Sequence, residues 1–127
     1  MKRGTAGLCA LLCALALAGC GGTEQPDSAP AAVDSPVAGK KVAYIMQMAP
    51  SDIFQMWSQA AQETAEGLGM EYDAFFCGGS DAQWQDTVSQ CAATGYDGLL
   101  LSHGGQNYAY TFLNDLLEQY PDLKIVT

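Results

Sequence analysis

The chain has 127 residues, with 5 basic and 14 acidic side chains and a formal charge of −9. That length admits one modest folded domain. The charge excludes a nucleic-acid partner, which needs clustered Lys and Arg, and equally excludes attraction to anionic lipid head groups.

Residues 1–19 have the pattern of an export signal. Lys2 and Arg3 form a short positive start, and Gly7 to Ala18 is an apolar run too short to span a bilayer. It closes in Leu17-Ala18-Gly19-Cys20, which resembles the lipobox of bacterial lipoproteins. The resemblance implies cleavage before Cys20 and a diacylglycerol on its thiol. From Cys20 onward three basic side chains face fourteen acidic ones (3 − 14 = −11), and no arginine remains. Attachment to a membrane must therefore come from the lipid itself, with two or more acyl chains on Cys20. Residues 20–39 then carry three prolines and no apolar periodicity, the composition of a flexible linker.

The folded region starts near Lys40. Four apolar runs of strand length follow, at Val42–Met46, Tyr72–Cys77, Gly98–Ser102 and Leu123–Thr127. Their starts lie about 25 to 30 residues apart, the size of a βα unit. Such unalternating runs suit a parallel sheet covered on both faces. Between them lie helical spacings. Ile53, Trp57, Ala60, Ala61, Thr64 and Leu68 make a first apolar stripe, ended by Gly69. Trp84, Val88, Cys91 and Ala92 make a second, and Ala109, Phe112, Leu113, Leu116, Leu117 and Tyr120 a third. The order βαβαβαβ with right-handed crossovers predicts an α/β fold with a doubly wound parallel sheet.

Of the five cysteines, Cys9 and Cys13 leave with the signal, so an exported chain keeps Cys77 and Cys91 beside the lipidated one. Cys77 ends a strand, and Cys91 sits some way into the returning helix, about 15 Å back along its axis. A disulfide needs Cα atoms within about 7 Å, so the pair is expected to stay unbridged, Cys91 packing as a small hydrophobe.

In open α/β sheets, ligands sit outside the carboxyl ends of the strands. Those ends here are Gln47–Asp52, Cys77–Asp81 and Ser102–Gln106. Phe54 is placed to stack on the apolar face of a sugar ring, or else to join the core. Ser51 and Asp52 are placed to bond hydroxyls, or to cap the first helix by accepting an N–H. His103, in Ser-His-Gly-Gly, is the single histidine and a candidate ligand hydrogen bond, its alternative being a solvated loop residue. The substrate-binding candidates are therefore Ser51, Asp52, Phe54 and His103. Nothing points to catalysis or to a metal: no second metal-ligating residue sits at suitable spacing around His103, and no G-x-S-x-G elbow occurs. Cys77-Gly-Gly-Ser80 is too short for a phosphate-binding loop and lacks its lysine. Asp97, before Gly98, reads as a structural residue at a strand entrance.

Several phrases in order resemble the sugar-type periplasmic binding proteins of ABC transporters, type I fold. Ala49-Pro-Ser-Asp-Ile-Phe54 leads into a helix closing in Glu66-Gly-Leu-Gly-Met70. Ser80-Asp81 opens a Gln-rich helix, and Thr94-Gly-Tyr-Asp-Gly-Leu-Leu-Leu-Ser102 and Tyr120-Pro-Asp-Leu-Lys-Ile-Val-Thr127 follow. The resemblance covers Lys41–Thr127, with Ser51-Asp52-Ile53 standing where the family has Asn-Pro-Phe. It implies that residues 40–127 form the first βαβαβαβ part of an amino-terminal lobe, about the first third of such a protein. It further implies a lipid-anchored, substrate-binding component of an ABC-type importer for a sugar-like solute, docking on an ABC permease and needing no cofactor. Such a protein is no enzyme and resides in the cell envelope, on the outer face of the cytoplasmic membrane or in the periplasm. The alternative is an extracytoplasmic sensing module for a histidine kinase or chemoreceptor.

Overall fold

The computed structural model describes residues 34–127; the leader, the lipidation candidate Cys20 and linker residues 21–33 lie outside the described residues. Strands and helices alternate along the chain: β1 Lys41–Met46, α1 Asp52–Gly67, β2 Glu71–Phe76, α2 Asp81–Ala93, β3 Gly98–Ser102, α3 Ala109–Gln119 and β4 Lys124–Val126. The strands form one parallel sheet in the order β2-β1-β3-β4. This is the expected doubly wound α/β arrangement. The chain reverses its direction of travel across the sheet after β2, so right-handed crossovers put α1 on one face and α2 and α3 on the other.

Central position explains the composition of β1, in which Val42–Met46 are all buried between neighbours on both sides. Its Ala43 and Ile45, with Leu99 and Leu101 of β3, face Trp84, Val88, Cys91 and Ala92 of α2 and Leu116 of α3. These α2 residues are the stripe expected from spacing. Cys77 and Cys91 lie in the same cluster as buried free thiols.

The α1 stripe is a correction. Its buried residues are Ser58 and Ala65, with Phe54 and Ala61 half-buried on the same line, whereas Ile53, Trp57 and Leu68 are 49%, 43% and 41% exposed. The contact line lies one residue step, about 100°, around the helix from the line read in the sequence. Ser58 is tolerated there because the Tyr72 hydroxyl on β2 donates to its carbonyl at 2.9 Å and pairs with its Oγ at 3.0 Å. Helix α1 covers β1 and β2, and β3 and β4 are covered on that face by nothing among the described residues: Leu100 and Val126 remain exposed. The expectation of a sheet covered on both faces therefore holds for β1 and fails for its β3–β4 half.

Cap chemistry differs between the helices. Ser80 caps α2, its Oγ accepting from Gln83 N–H at 3.2 Å. Ser51 precedes α1 in an extended conformation but its side chain accepts no cap bond, so the side-chain cap expected of Ser51 or Asp52 does not form; only its carbonyl accepts, from Gln55 N–H at 2.9 Å. The α1 C-terminus turns through Gly69 at φ 74°, where Gly69 N–H reaches Glu66 O and Met70 N–H reaches Ala65 O, both at 2.9 Å.

Asp97 joins three strands at their amino ends. Its carboxylate accepts from Lys40 Nζ at 2.7 Å and Lys41 N–H at 2.8 Å, and its carbonyl accepts from Lys124 N–H at 3.0 Å. Lys41 lies 3.4 Å from Asp73 and over the Tyr96 ring at 4.3 Å. Every lysine among the described residues thus sits at the amino end of the sheet.

Candidate functional site

The carboxyl ends of the strands open into three loops, tied together by backbone bonds. Gln47 N–H donates to Ser102 O at 3.0 Å, Cys77 N–H to Met46 O at 2.8 Å and Gly79 N–H to Gln47 O at 2.7 Å. The Gln47 side chain adds a clamp, its Nε2 donating to Gly79 O at 3.1 Å and Asp81 Oδ1 at 3.0 Å. Loop tips are ordinarily the mobile part of an α/β unit, and these cross-bonds hold them against one another.

Across this end runs an aromatic cluster. Phe54 lies 5.3 Å from the His103 ring and 5.6 Å from Trp57, and Trp57 stacks on His103 at 6.3 Å with 19° between planes. Two of these residues come from the first turns of α1 and one from the end of β3. Trp57 and His103 are both exposed, so the cluster presents a ring surface to solvent. His103 adopts φ 58°, a left-handed conformation that few side chains take without support. Support comes from the stack and from a 2.8 Å hydrogen bond between its Nδ1 and Ser102 Oγ.

Beside the cluster lies a crevice of about 520 Å³, lined by Ser102, His103, Gly104, Gln106, Tyr110 and Thr127 among others. Its inner wall is Trp84, which is 1% exposed. Gly104 is required there: a Cβ at that position would fall 2.8 Å from Trp84 Cζ2. The Tyr108 hydroxyl accepts from Gly105 N–H at 3.2 Å and fastens the loop onto the start of α3. Burial pushes the Tyr108 phenol up, with neighbouring Asp81 adding to the rise.

Under the cluster, Tyr44 of β1 is 6% exposed, and its hydroxyl has no hydrogen-bond partner among the described residues. Burial pushes this phenol up, and neighbouring Ser102 opposes the rise. The buried Ser51 Oγ likewise has no partner among the described residues. Unsatisfied polar atoms so close to one loop cluster are uncommon in native folds and point to a polar site.

Of the four residues expected from sequence, the structure brings Phe54 and His103 into one cluster. Ser51 and Asp52 stand at the head of α1 next to Phe54, and neither makes a side-chain hydrogen bond among the described residues. Sequence reasoning missed Trp57, assigned to the buried stripe, and also Gln47 and Ser102. The available signal for Trp57 was its i, i+3 spacing from Phe54, which puts two rings side by side on a helix that starts at the ligand end. Among the described residues no group of three His, Cys, Asp or Glu side chains is placed to hold a metal ion. The arrangement offers ring surface, hydroxyls and amides, which suits holding a hydroxyl-rich ring by stacking and hydrogen bonds.

No family model matches the chain, and no curated protein matches its sequence. A solved structure does resemble it: the crystal structure of a sugar ABC transporter from Yersinia enterocolitica subsp. enterocolitica 8081. The TM-score is 0.61 at 24% identity, over 69% of this chain and 31% of that one. The likeness is one of fold, a parallel sheet with alternating helices. The chain spans less than a third of the length of that structure.

Proposed function

We propose that this chain supplies the ligand-binding amino-terminal part of a substrate-binding component for an ABC-type importer of a sugar-like solute. The observation that carries this reading is the Phe54–Trp57–His103 cluster, with Trp57 and His103 exposed, beside the crevice at the carboxyl ends of the strands. Phe54 and Trp57 supply the stacking surface, His103 and the hydroxyls of Ser51 and Ser102 supply hydrogen bonds, and Asp52 stands at the rim. Binding and release without a chemical step is the whole activity. Export and anchoring through acylated Cys20 keep the domain at the envelope, where a permease can receive the solute. The fold shared with a sugar ABC transporter supports the reading at the level of architecture, and no helix among the described residues is long and apolar enough to cross a membrane.

The test is a neutral-sugar panel titrated into the chain from residue 20 onward, followed by tryptophan fluorescence and saturation-transfer NMR. One wall of a cleft leaves a ligand largely hydrated, so Kd values on the order of millimolar are expected. Trp57→Ala is expected to abolish the signal. A panel without any binder, or a Trp57→Ala protein that binds as the parent does, overturns the proposal. Anchoring is tested separately with labelled palmitate in a bacterial host: label in the parent and none in Cys20→Ala is expected, and equal label contradicts it.

A further inference from the structure

Two exposed apolar surfaces adjoin on the α1 side of the sheet. Helix α1 packs on β1 and β2, so the place over β3 and β4 stays open among the described residues. Two strands leave it about 10 Å wide, the spacing of one packed helix. Its floor is the hollow of Val42, Leu100 and Val126, with Lys124 at the amino end. Its wall is α1. Trp57 stacks on His103 at the end of β3, so that side of the helix turns toward the open place. The opposite side, with Gln55, Gln62 and Glu66, meets Phe76 of β2 in a polar groove. Along the β3 side Ile53, Trp57, Ala60, Thr64 and Gly67 recur at steps of four and three, and all are exposed. That repeat is the seam of a two-stranded helix pair. Met56, 59% exposed, stands beside the seam on the face turned away from the sheet. A further βα unit beyond β4 would not fill the place, because a right-handed crossover carries its helix to the α2 side.

We infer that a second copy of this chain fills it: two chains pair about a two-fold axis parallel to the strands, each laying α1 over β3 and β4 of the other. Such an axis sets the two sheets face to face, with two parallel α1 helices side by side between them, about 10 Å apart. The seam then meets itself, and the small Ala60, Thr64 and Gly67 admit a close approach. Met56 enters the partner's hollow. Helix α1 runs against the strands, so Glu63, about three turns from its start, comes level with the amino end of the partner's β4. Lys124 stands there, the one lysine among the described residues without an ion pair. The Glu63 carboxylate is met within its own chain by the neutral Gln59 amide at 3.0 Å. Pairing joins these opposite charges twice. The exposed area of Ile53, Met56, Trp57, Leu68, Leu100 and Val126 is roughly 600 Å² per copy, about 1,200 Å² for the pair, the lower end of specific interfaces. Trp57 belongs both to the seam and to the aromatic cluster, so pairing and the stacking of a solute compete for its ring.

The experiment is sedimentation equilibrium of the chain from residue 20 onward carrying Cys20→Ser, joined to directed cross-linking. A monomer–dimer equilibrium with Kd on the order of 10–100 μM is expected of an interface this small. Ala60→Glu sets two carboxylates across the axis and is expected to weaken pairing at least about tenfold. Its position is exposed, so its far-ultraviolet circular dichroism stays that of the parent. Glu63→Lys and Lys124→Glu are each expected to weaken pairing, and the two together to restore it. Thr64→Cys is expected to give a disulfide-linked dimer under mild oxidation, because a parallel seam brings position 64 against its own copy. Gln62→Cys, on the β2 side, is expected to give none. A chain that stays monomeric overturns the inference. A dimer that keeps its strength in Ala60→Glu, fails to recover in the double charge swap, or cross-links through position 62 as readily as through 64 is built on another surface and also overturns it.

Discussion

His103 shows how a single residue joins the fold to the candidate site. It closes β3, holds a left-handed φ of 58° and carries one face of the Phe54–Trp57 cluster. Its placement at a strand end was legible in the sequence, but its stacking partner Trp57 was not, because spacing alone put that tryptophan on the buried side. The two cysteines give a residue-level prediction. Burial pushes the Cys91 thiol up to about 11, with Asp73 adding to the rise, and burial also raises the Cys77 thiol. At pH 8 both are protonated, and the Cys91 thiolate population is lowered by about a hundredfold relative to an ordinary thiol. Iodoacetamide followed by mass spectrometry is expected to label neither in the native chain and both in urea; rapid native labelling would contradict the packing. Asp97 gives a second. The Lys40 hydrogen bond, then the Lys41 amide, hold its carboxyl below the usual carboxylate range. A depressed carboxyl stabilises the fold above its unfolded value, and that contribution is lost as pH falls through the folded one. Melting temperature against pH is thus expected to drop more steeply below pH 4 in the parent than in Asp97→Asn, and parallel curves would remove Asp97 from that role.

At the scale of elements, α1 and α2 have comparable apolar spacing and opposite fates. Helix α2 lies over the middle of the sheet, where Trp84 and Val88 are 1% and 0% exposed. Trp84→Ala is therefore expected to cost about 3–5 kcal/mol, a large part of the net stability of so small a domain. In α1 the corresponding stripe is exposed, so Ile53→Ala and Leu68→Ala are expected to stay within about 0.5 kcal/mol of the parent. Urea unfolding of the three variants separates the two helices, and a cost of several kcal/mol at Ile53 would mean that α1 is rotated from the orientation described. The loop before α3 belongs to the same argument. Gly104→Ala is expected to destabilise by about 1–3 kcal/mol, because its Cβ needs the space of a buried indole that has nowhere to move.

For the molecule as a whole, the important asymmetry is the half-covered sheet. Val42, Leu100 and Val126 line a hollow of about 340 Å³ on the α1 side, bordered by Lys124. Beside it, among the described residues, β4 pairs only with β3 and stands at the edge of the sheet. An apolar face next to an unpaired edge favours contact with other chains. Sedimentation of the chain from residue 20 onward is expected to show association that strengthens with salt, as repulsion between acidic molecules is screened. Leu100→Ser combined with Val126→Lys is expected to reduce it, and a parent that stays monomeric across the salt range would show that the exposed face carries no such tendency.

What the sequence by itself determined is the alternation of strands and helices, the doubly wound parallel sheet, the buried line of α2 and the structural place of Asp97 at a strand entrance. These follow from local periodicity, from chain connectivity and from the right hand of each crossover, all of which are written in neighbouring residues. The tertiary structure alone decided which side of α1 meets the sheet, and with it the exposure of Trp57, the uncapped Ser51 and the uncovered half of β3 and β4. Spacing reveals that apolar residues share a helix face. It does not reveal where that helix sits across the strands, which depends on contacts between segments far apart in the chain.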